Sequence, residues 1–159
     1  MSDECVNRQR NEFVHAKELM LATLDTTPDD RINWSPSPTS RSPLQLVSHA
    51  ASVVKLMHDT WDGQPFPDIQ PKEADASMRD AEMKCGTREE VVAKFNENCD
   101  SYLQWLDNVT PEKLDKMINL PFGPEAPVSF AIQFTSLHMN SHTAQMQYIQ
   151  TIYGDREWR

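Results

Sequence analysis

Two histidines stand four residues apart near the carboxyl end of the chain, in the run His138-Met139-Asn140-Ser141-His142. Four residues advance an α-helix by about 400°, so both imidazoles would lie on one helical face, about 6 Å apart along the axis. Two neutral imidazole nitrogens at that spacing can bind one metal ion. Two core histidines that only form hydrogen bonds would show the same spacing. The pair alone leaves both interpretations open.

His49 supplies a third candidate ligand from a distant part of the chain. It shares a helical stripe with Val53 and Leu56, so we expect its imidazole to face the interior. We expect the same of His138 and His142, whose helical face carries the following residues: Phe134, Gln145, Ile149 and Ile152. Buried imidazoles need a reason for their desolvation, and a metal ion supplies one. We therefore predict a metal site formed by His49, His138 and His142, with a coordination position open for water or substrate.

Two alternative metal sites lack the carboxylates that they need. The spacing Glu12-x-x-His15 is used by ferritin-like di-iron bundles, but Thr135 and Met139 occupy the positions three residues before His138 and His142 where such a site needs glutamates. A zincin peptidase needs H-E-x-x-H, and the histidine pair has no glutamate between its members. The sequence also contains no G-x-S-x-G elbow and no phosphate-binding glycine loop, which disfavours serine hydrolases and nucleotide-dependent enzymes.

Two further polar residues belong to the same predicted helices as the ligands. Gln145 lies seven residues after His138, nearly in line with it, so its amide could orient a bound group or could bond only to backbone or a neighbouring helix. His58 lies nine residues after His49, about 900° round the helix and thus on the opposite face. We expect His58 to be a surface or interface residue.

Glycine and proline divide the chain into the elements that must position these side chains. All four glycines and all 11 prolines fall outside four long stretches, residues 2–27, 44–62, 87–110 and 128–153. Because glycine and proline interrupt helices, the stretches predict four helices. Capping boxes, Ser42-Pro43-Leu44-Gln45 and Thr87-Arg88-Glu89-Glu90, mark the start of the second and third. The third carries one apolar stripe: Val91, Phe95, Cys99, Tyr102, Leu106 and Val109.

The connections between these helices are long and rich in proline. We expect residues 29–42 to form a loop held to the bundle by Ile32 and Trp34, and residues 63–86 to form an extended crossover with a short polar helix at 73–84. Residues 110–127 are expected to contain a one-turn helix at 111–116, and no segment shows the alternation typical of a strand. The sequence thus predicts an all-α, four-helix bundle with long crossover connections.

Composition limits the possible partners. A chain of 159 residues is expected to form a single domain, residues 1–159, with its own core. A net charge of −9 without a basic cluster argues against nucleic acid and against an anionic membrane surface. The chain has neither an apolar signal segment nor an apolar run near the roughly 20 residues of a spanning helix, so we expect a cytoplasmic protein. Cys5, Cys85 and Cys99 lack C-x-x-C spacing and are expected to be free, reduced thiols.

Five short motifs follow one another along nearly the whole chain. They are Asn33-Trp34-x-Pro36, a Ser42-initiated helix with His49-Ala50, Pro121-Phe122-Gly123, His138-x-x-x-His142-x-x-Gln145, and Gly154-Asp155. Together they resemble the DinB-like superfamily of metal-dependent enzymes. The resemblance implies a four-helix bundle with two crossovers, a divalent metal ion, commonly zinc or nickel, on a histidine triad, and in many members a homodimer. Three tryptophans expected to be exposed could line a dimer contact or pack only within the chain: Trp61, Trp105 and Trp158.

The same resemblance implies a class of reaction. Characterised relatives include thiol-dependent S-transferases and a maleylpyruvate isomerase that use low-molecular-weight thiols, which implies a metal-bound thiolate as nucleophile. Zinc on three histidines also lowers the pKa of coordinated water to roughly 7. We therefore expect a metal-dependent thiol S-transferase or hydrolase acting on a small-molecule substrate. The alternative is a non-catalytic, stress-associated or binding bundle with a structural or vestigial site, because no carboxylate on the stripes of the second and fourth helices is an evident general base.

Overall fold

A bundle of long helices dominates the computed structural model, which describes residues 3–120 and 123–157. Parts of the predicted 121–123 loop and the candidate interface residue Trp158 lie outside the described residues. The elements follow one another as α1 Asp3–Asp25, α2 Pro43–Trp61, α3 Pro71–Glu82, α4 Arg88–Asn108, α5 Pro111–Leu114, β1 Met117–Asn119, β2 Glu125–Pro127, α6 Val128–Ala131 and α7 Gln133–Ile152. The long helices α1, α2, α4 and α7 confirm the four predicted stretches. The short helices α3 and α5 confirm those predicted in the crossovers.

The four long helices pack through their apolar stripes. α2 contacts both α4 and α7, and α1 also contacts α7 and α4, so each long helix is covered by two others or more. On α4 the predicted stripe is confirmed, since Val91, Phe95, Cys99, Tyr102 and Leu106 are at most 3% exposed. No helix within the described residues combines the length and the apolar character needed to cross a membrane.

Both capping boxes are present. The Ser42 hydroxyl accepts a hydrogen bond from the Gln45 backbone amide at 3.3 Å, and Gln45 Oε1 accepts one from the Ser42 amide at 2.9 Å. Thr87 and Glu90 form the equivalent pair at the start of α4. These bonds satisfy amide groups that have no partner inside the helix, so they define where α2 begins and therefore the angular position of His49.

Two features of the fold differ from the expectation. β1 and β2 form an antiparallel hairpin with Ile118 opposite Ala126, although no strand was predicted, because strands of three residues are too short to show an alternation. The helix predicted over 128–153 is interrupted at Ile132, where no glycine or proline signals a break. The Ile132 carbonyl accepts a hydrogen bond from the Tyr102 hydroxyl at 3.2 Å, a contact made by a distant helix.

The expectation that Trp61 is an exposed interface residue is wrong. Its side chain is 1% exposed, and its indole Nε1 donates to the Thr135 hydroxyl on α7 at 3.1 Å. Trp105 stacks on Tyr102 and donates to Asp62 at 2.8 Å. Both indoles therefore take part in packing between the helices of one chain.

We expect Ser42→Ala to lower the free energy of unfolding by about 1 kcal/mol, because it removes a side-chain cap from the helix that carries His49. The matched control is Ser52→Ala on the exposed side of α2, which should change stability by less than about 0.5 kcal/mol. Urea denaturation followed by circular dichroism measures both. Equal effects of the two substitutions would show that the cap does not stabilise α2.

Candidate metal centre

Three imidazoles from two helices meet at one point beside the core. His49 is carried by α2, and His138 and His142 by α7; their ring centroids lie 5.2, 4.7 and 4.4 Å apart for the pairs 49–138, 49–142 and 138–142. One nitrogen of each ring lies within 4.8 Å of a nitrogen of the other two. Among residues 3–120 and 123–157, this histidine triad is the one group of such ligands that could share an ion. The structure thus brings together the three residues singled out from the sequence.

The orientation of α7 differs from the expected one. Its buried face combines polar residues, two methionines and one isoleucine: Thr135, Ser136, Met139, Thr143, Met146, Ile149 and Gln150. His138 and His142 are half-buried at the border of this face, whereas Gln145 is exposed and Ile152 is 48% exposed. The expected inward stripe through Gln145 and Ile152 was therefore wrong. The triad therefore lies at the edge of the core.

A carboxylate contacts the triad, contrary to the expectation that it has no such partner. Glu82, the last residue of α3, is 3% exposed, and its Oε1 lies 2.7 Å from His49 Nδ1. Arg41 donates to the same carboxylate through Nε at 2.6 Å and Nη2 at 3.1 Å. The sequence carried no local signal for this contact, because Glu82 belongs to a polar helix and lies 33 residues from His49.

The hydrogen bonds of His49 and His142 define which nitrogen of each ring is left to face an ion. Burial alone would raise the pKa of Glu82, but hydrogen bonds from His49 and Arg41 lower it overall, so the group is a carboxylate that can only accept. His49 Nδ1 is therefore the donor, and Nε2 is the nitrogen left to face an ion. His142 Nδ1 likewise lies 2.8 Å from Gln145 Oε1, an amide oxygen, which leaves His142 Nε2 free and 3.1 Å from His138 Nε2.

The charge state of the triad suits a metal ligand. Burial, together with the neighbouring imidazoles and Arg41, lowers the pKa of His138 to about 3. Burial also lowers the pKa of His142 to about 4, although the bond to Gln145 opposes the shift. Both rings are neutral at pH 7, which is the form that binds metal. Three imidazole ligands fit zinc or nickel, whereas magnesium and calcium need oxygen ligands.

The remaining histidines and the cysteines lie outside this cluster. His15 is exposed on α1, and His58 packs against Tyr102 and Trp105 with ring centroids 5.8 and 5.7 Å apart. All three cysteines are free, as predicted. Burial raises the pKa of the Cys99 thiol to about 12, so this thiol is not a nucleophile at neutral pH.

Solved structures with the same fold share little sequence with this chain. YfiT from Bacillus subtilis, described as a probable metal-dependent hydrolase with an unusual four-helix bundle topology, is 14% identical, with a TM-score of 0.77 over 98% of this chain and 91% of that one. A conserved protein from Enterococcus faecalis is 16% identical, with a TM-score of 0.73 over 98% and 99%. A mycothiol-dependent maleylpyruvate isomerase is 10% identical, with a TM-score of 0.71 over 89% of this chain and 60% of that one.

Family membership rests on the sequence. A search among curated proteins finds no match. The model of the DinB superfamily matches residues 12–146, which include His49, His138 and His142. This match covers well over half of the chain, and the solved structures agree with it in fold. The chain therefore belongs to the DinB superfamily.

Proposed function

We propose that this protein is a metal-dependent enzyme that binds one zinc or nickel ion on His49, His138 and His142 and acts on a small-molecule substrate. The observation that carries the proposal is the convergence of three imidazoles whose nitrogens lie within 4.8 Å of one another. A divalent ion held in this way activates a thiol or a water molecule as a nucleophile at neutral pH. The proposed reaction is therefore thiol S-transfer or hydrolysis.

The residues around the triad hold its members in the form that binds an ion. Glu82 fixes the tautomer of His49, and Arg41 holds the Glu82 carboxylate through two hydrogen bonds. Gln145 fixes the tautomer of His142. Such partners orient metal ligands and raise their basicity. Because Glu82 is occupied by His49 and Arg41, its proposed role is positioning and charge compensation, and proton transfer by Glu82 is not required.

The relatives support the general class of reaction. YfiT is described as a probable metal-dependent hydrolase, and another structural relative is a mycothiol-dependent isomerase. The two descriptions correspond to the two nucleophiles, water and a low-molecular-weight thiol. A homodimer and a cytoplasmic location remain proposals that rest on the resemblance and on composition.

Protein purified without chelator or nickel affinity resin should contain one zinc or nickel ion per chain, measured by mass spectrometry of the metals. His142→Ala should lose the ion, because two imidazoles bind far more weakly than three. His15→Ala, an exposed histidine outside the triad, is the matched control and should keep it. Stoichiometric metal in the His142→Ala protein would contradict the proposed ligand set.

Glu82→Gln should weaken zinc affinity by about 10- to 100-fold, because the partner that orients His49 loses its charge. Asp75→Asn is the matched control, since Asp75 also accepts from Arg41, at 3.0 Å, but does not contact His49. A competition titration with a chromophoric chelator measures both affinities. If the two variants lose affinity equally, the effect comes from Arg41 and the proposed role of Glu82 is wrong.

The metal-loaded protein should accelerate loss of free thiol in the presence of monochlorobimane or monobromobimane with at least one of bacillithiol, mycothiol and glutathione. His142→Ala should return the rate to background, and His15→Ala should not change it. Hydrolysis of p-nitrophenyl acetate, tested in parallel, identifies water as the nucleophile. A metal-loaded protein that acts on no thiol and no ester would favour a non-catalytic bundle with a structural site.

A further inference from the structure

A cleft of about 540 Å³ lies beside the histidine triad, between the loop that precedes α2, the helix α3 and the exposed side of α7. Its lining includes the polar residues Thr39, Arg41 and Arg79 and the apolar residues Leu46, Tyr148 and Ile152. We call it the arginine cleft. Its volume is in the range of small-molecule sites, and an apolar surface with a few polar groups is typical of them. None of the described residues in the crossovers 63–70 and 115–127 lines it.

The arginine cleft is connected to the triad through two of its lining residues. Arg41 binds the Glu82 carboxylate, and Glu82 binds His49. Gln145, which also lines the cleft, binds His142. The cleft therefore borders the side chains that bind two of the three candidate ligands.

The charges that line the arginine cleft are all positive. Arg41 and Arg79 are its two charged lining residues within the described chain, although acidic residues outnumber basic ones by 24 to 15 overall. Asp75 and Glu82, which bind these guanidinium groups, do not line the cleft. Acidic residues thus hold both arginines in place while the cleft itself presents only positive charge.

Both guanidinium groups keep donors for a ligand. Arg41 uses Nε and Nη2, and Arg79 uses Nε for Asp75 and Nη1 for the Thr39 carbonyl. Arg41 Nη1 and Arg79 Nη2 have no hydrogen-bond partner among the residues that the structure describes. Guanidinium groups bind carboxylates strongly, and donors already fixed by Asp75 lose little freedom on binding.

Exposed apolar side chains line the same cleft as these donors. Tyr148 is 69% exposed and Ile152 is 48% exposed, both on the side of α7 that lines the cleft. A ligand with an apolar body would cover them and remove their surface from water. The lining therefore suits a molecule that carries both an anionic group and an apolar body.

We propose that the arginine cleft binds a small organic anion, with its carboxylate on Arg41 and Arg79 and its apolar body on Leu46, Tyr148 and Ile152. The proposal deepens the proposed function and rests on it, since it assigns the substrate class of the same site. The substrate then carries a carboxylate that is recognised by the arginines and a separate reacting group directed at the triad.

The test compares three probes of equal shape, 3-phenylpropionate, 3-phenylpropanol and 3-phenylpropylamine, by saturation-transfer NMR and calorimetry on the metal-loaded protein. We expect the anion to bind at least tenfold more tightly than the alcohol, and the amine to bind most weakly. Because a carboxylate can also bind a metal ion, the series is repeated with His142→Ala. Anion preference that persists there supports the cleft, whereas its loss would place the carboxylate on the ion and overturn the proposal.

Two pairs of variants locate the binding site. Arg79→Gln should weaken binding of 3-phenylpropionate about tenfold and leave binding of the alcohol unchanged. The matched control is Arg8→Gln, which also removes an arginine that pairs with an acidic residue four positions away. This control should not change binding of either probe. Ile152→Glu should abolish anion binding, while Leu137→Glu, at a similarly exposed position of α7 outside the cleft, should not. Equal affinities within each pair would overturn the proposal.

The outcomes separate this inference from the proposed function. Anion binding that depends on Arg79, in a protein without turnover, supports the cleft and contradicts the enzyme. Turnover of substrates with and without a carboxylate at equal kcat/KM, unchanged by Arg79→Gln, supports the enzyme and overturns the cleft. If sedimentation shows a dimer that Ile152→Glu dissociates, and no anion binds, the cleft is a contact between two copies and the proposal is wrong.

Discussion

The buried carboxylate of Glu82 is the interaction on which the site depends. A buried carboxylate is destabilising by several kcal/mol unless charged or hydrogen-bonded partners compensate it. His49 and Arg41 supply these partners from α2 and from the loop before it. Glu82 is the one buried residue of α3, so this helix docks through a polar contact and not through an apolar stripe. The position of α3 and the tautomer of His49 are therefore determined by the same group.

Residues on one face of α3 connect Glu82 to the arginine cleft. Asp75, Arg79 and Glu82 are separated by four and three residues, so they lie along one face of the helix. Glu82 binds His49, Arg79 lines the cleft, and Asp75 binds both Arg41 and Arg79. A helix with little apolar burial thus aligns a candidate metal ligand and a cleft wall at the same time.

Local patterns in the sequence predicted most of the fold. The glycine and proline positions, the two capping boxes and the apolar stripe of α4 depend on neighbouring residues, and they were confirmed apart from the break at Ile132. The errors concern side chains whose environment is created by distant segments. Trp61 is buried because its indole reaches Thr135, 74 residues away, and Glu82 meets His49 across 33 residues. The spacing of apolar residues within one helix gives no information on contacts over such sequence separations.

The α7 helix shows why apolar periodicity alone misplaces a face. Its buried side includes Thr143 and Gln150, whose hydrogen-bonding groups are satisfied by the Met139 carbonyl and by Thr23 and its neighbours at the end of α1. A polar residue with such partners is buried at little free-energy cost. Apolar periodicity assigns such polar residues to the exposed side of the helix. The buried face of α7 was therefore inferred to include Gln145 and Ile152.

The interactions around α3 connect the two proposed binding events. An anion on Arg41 and Arg79 would favour the arrangement in which α3 is docked, and that arrangement also holds Glu82 against His49. An ion on the triad would favour the same arrangement through His49. Two ligands that stabilise one common state raise each other's affinity by the same factor. On the proposed assignments, substrate and metal each stabilise the docked position of α3, which would make their binding cooperative.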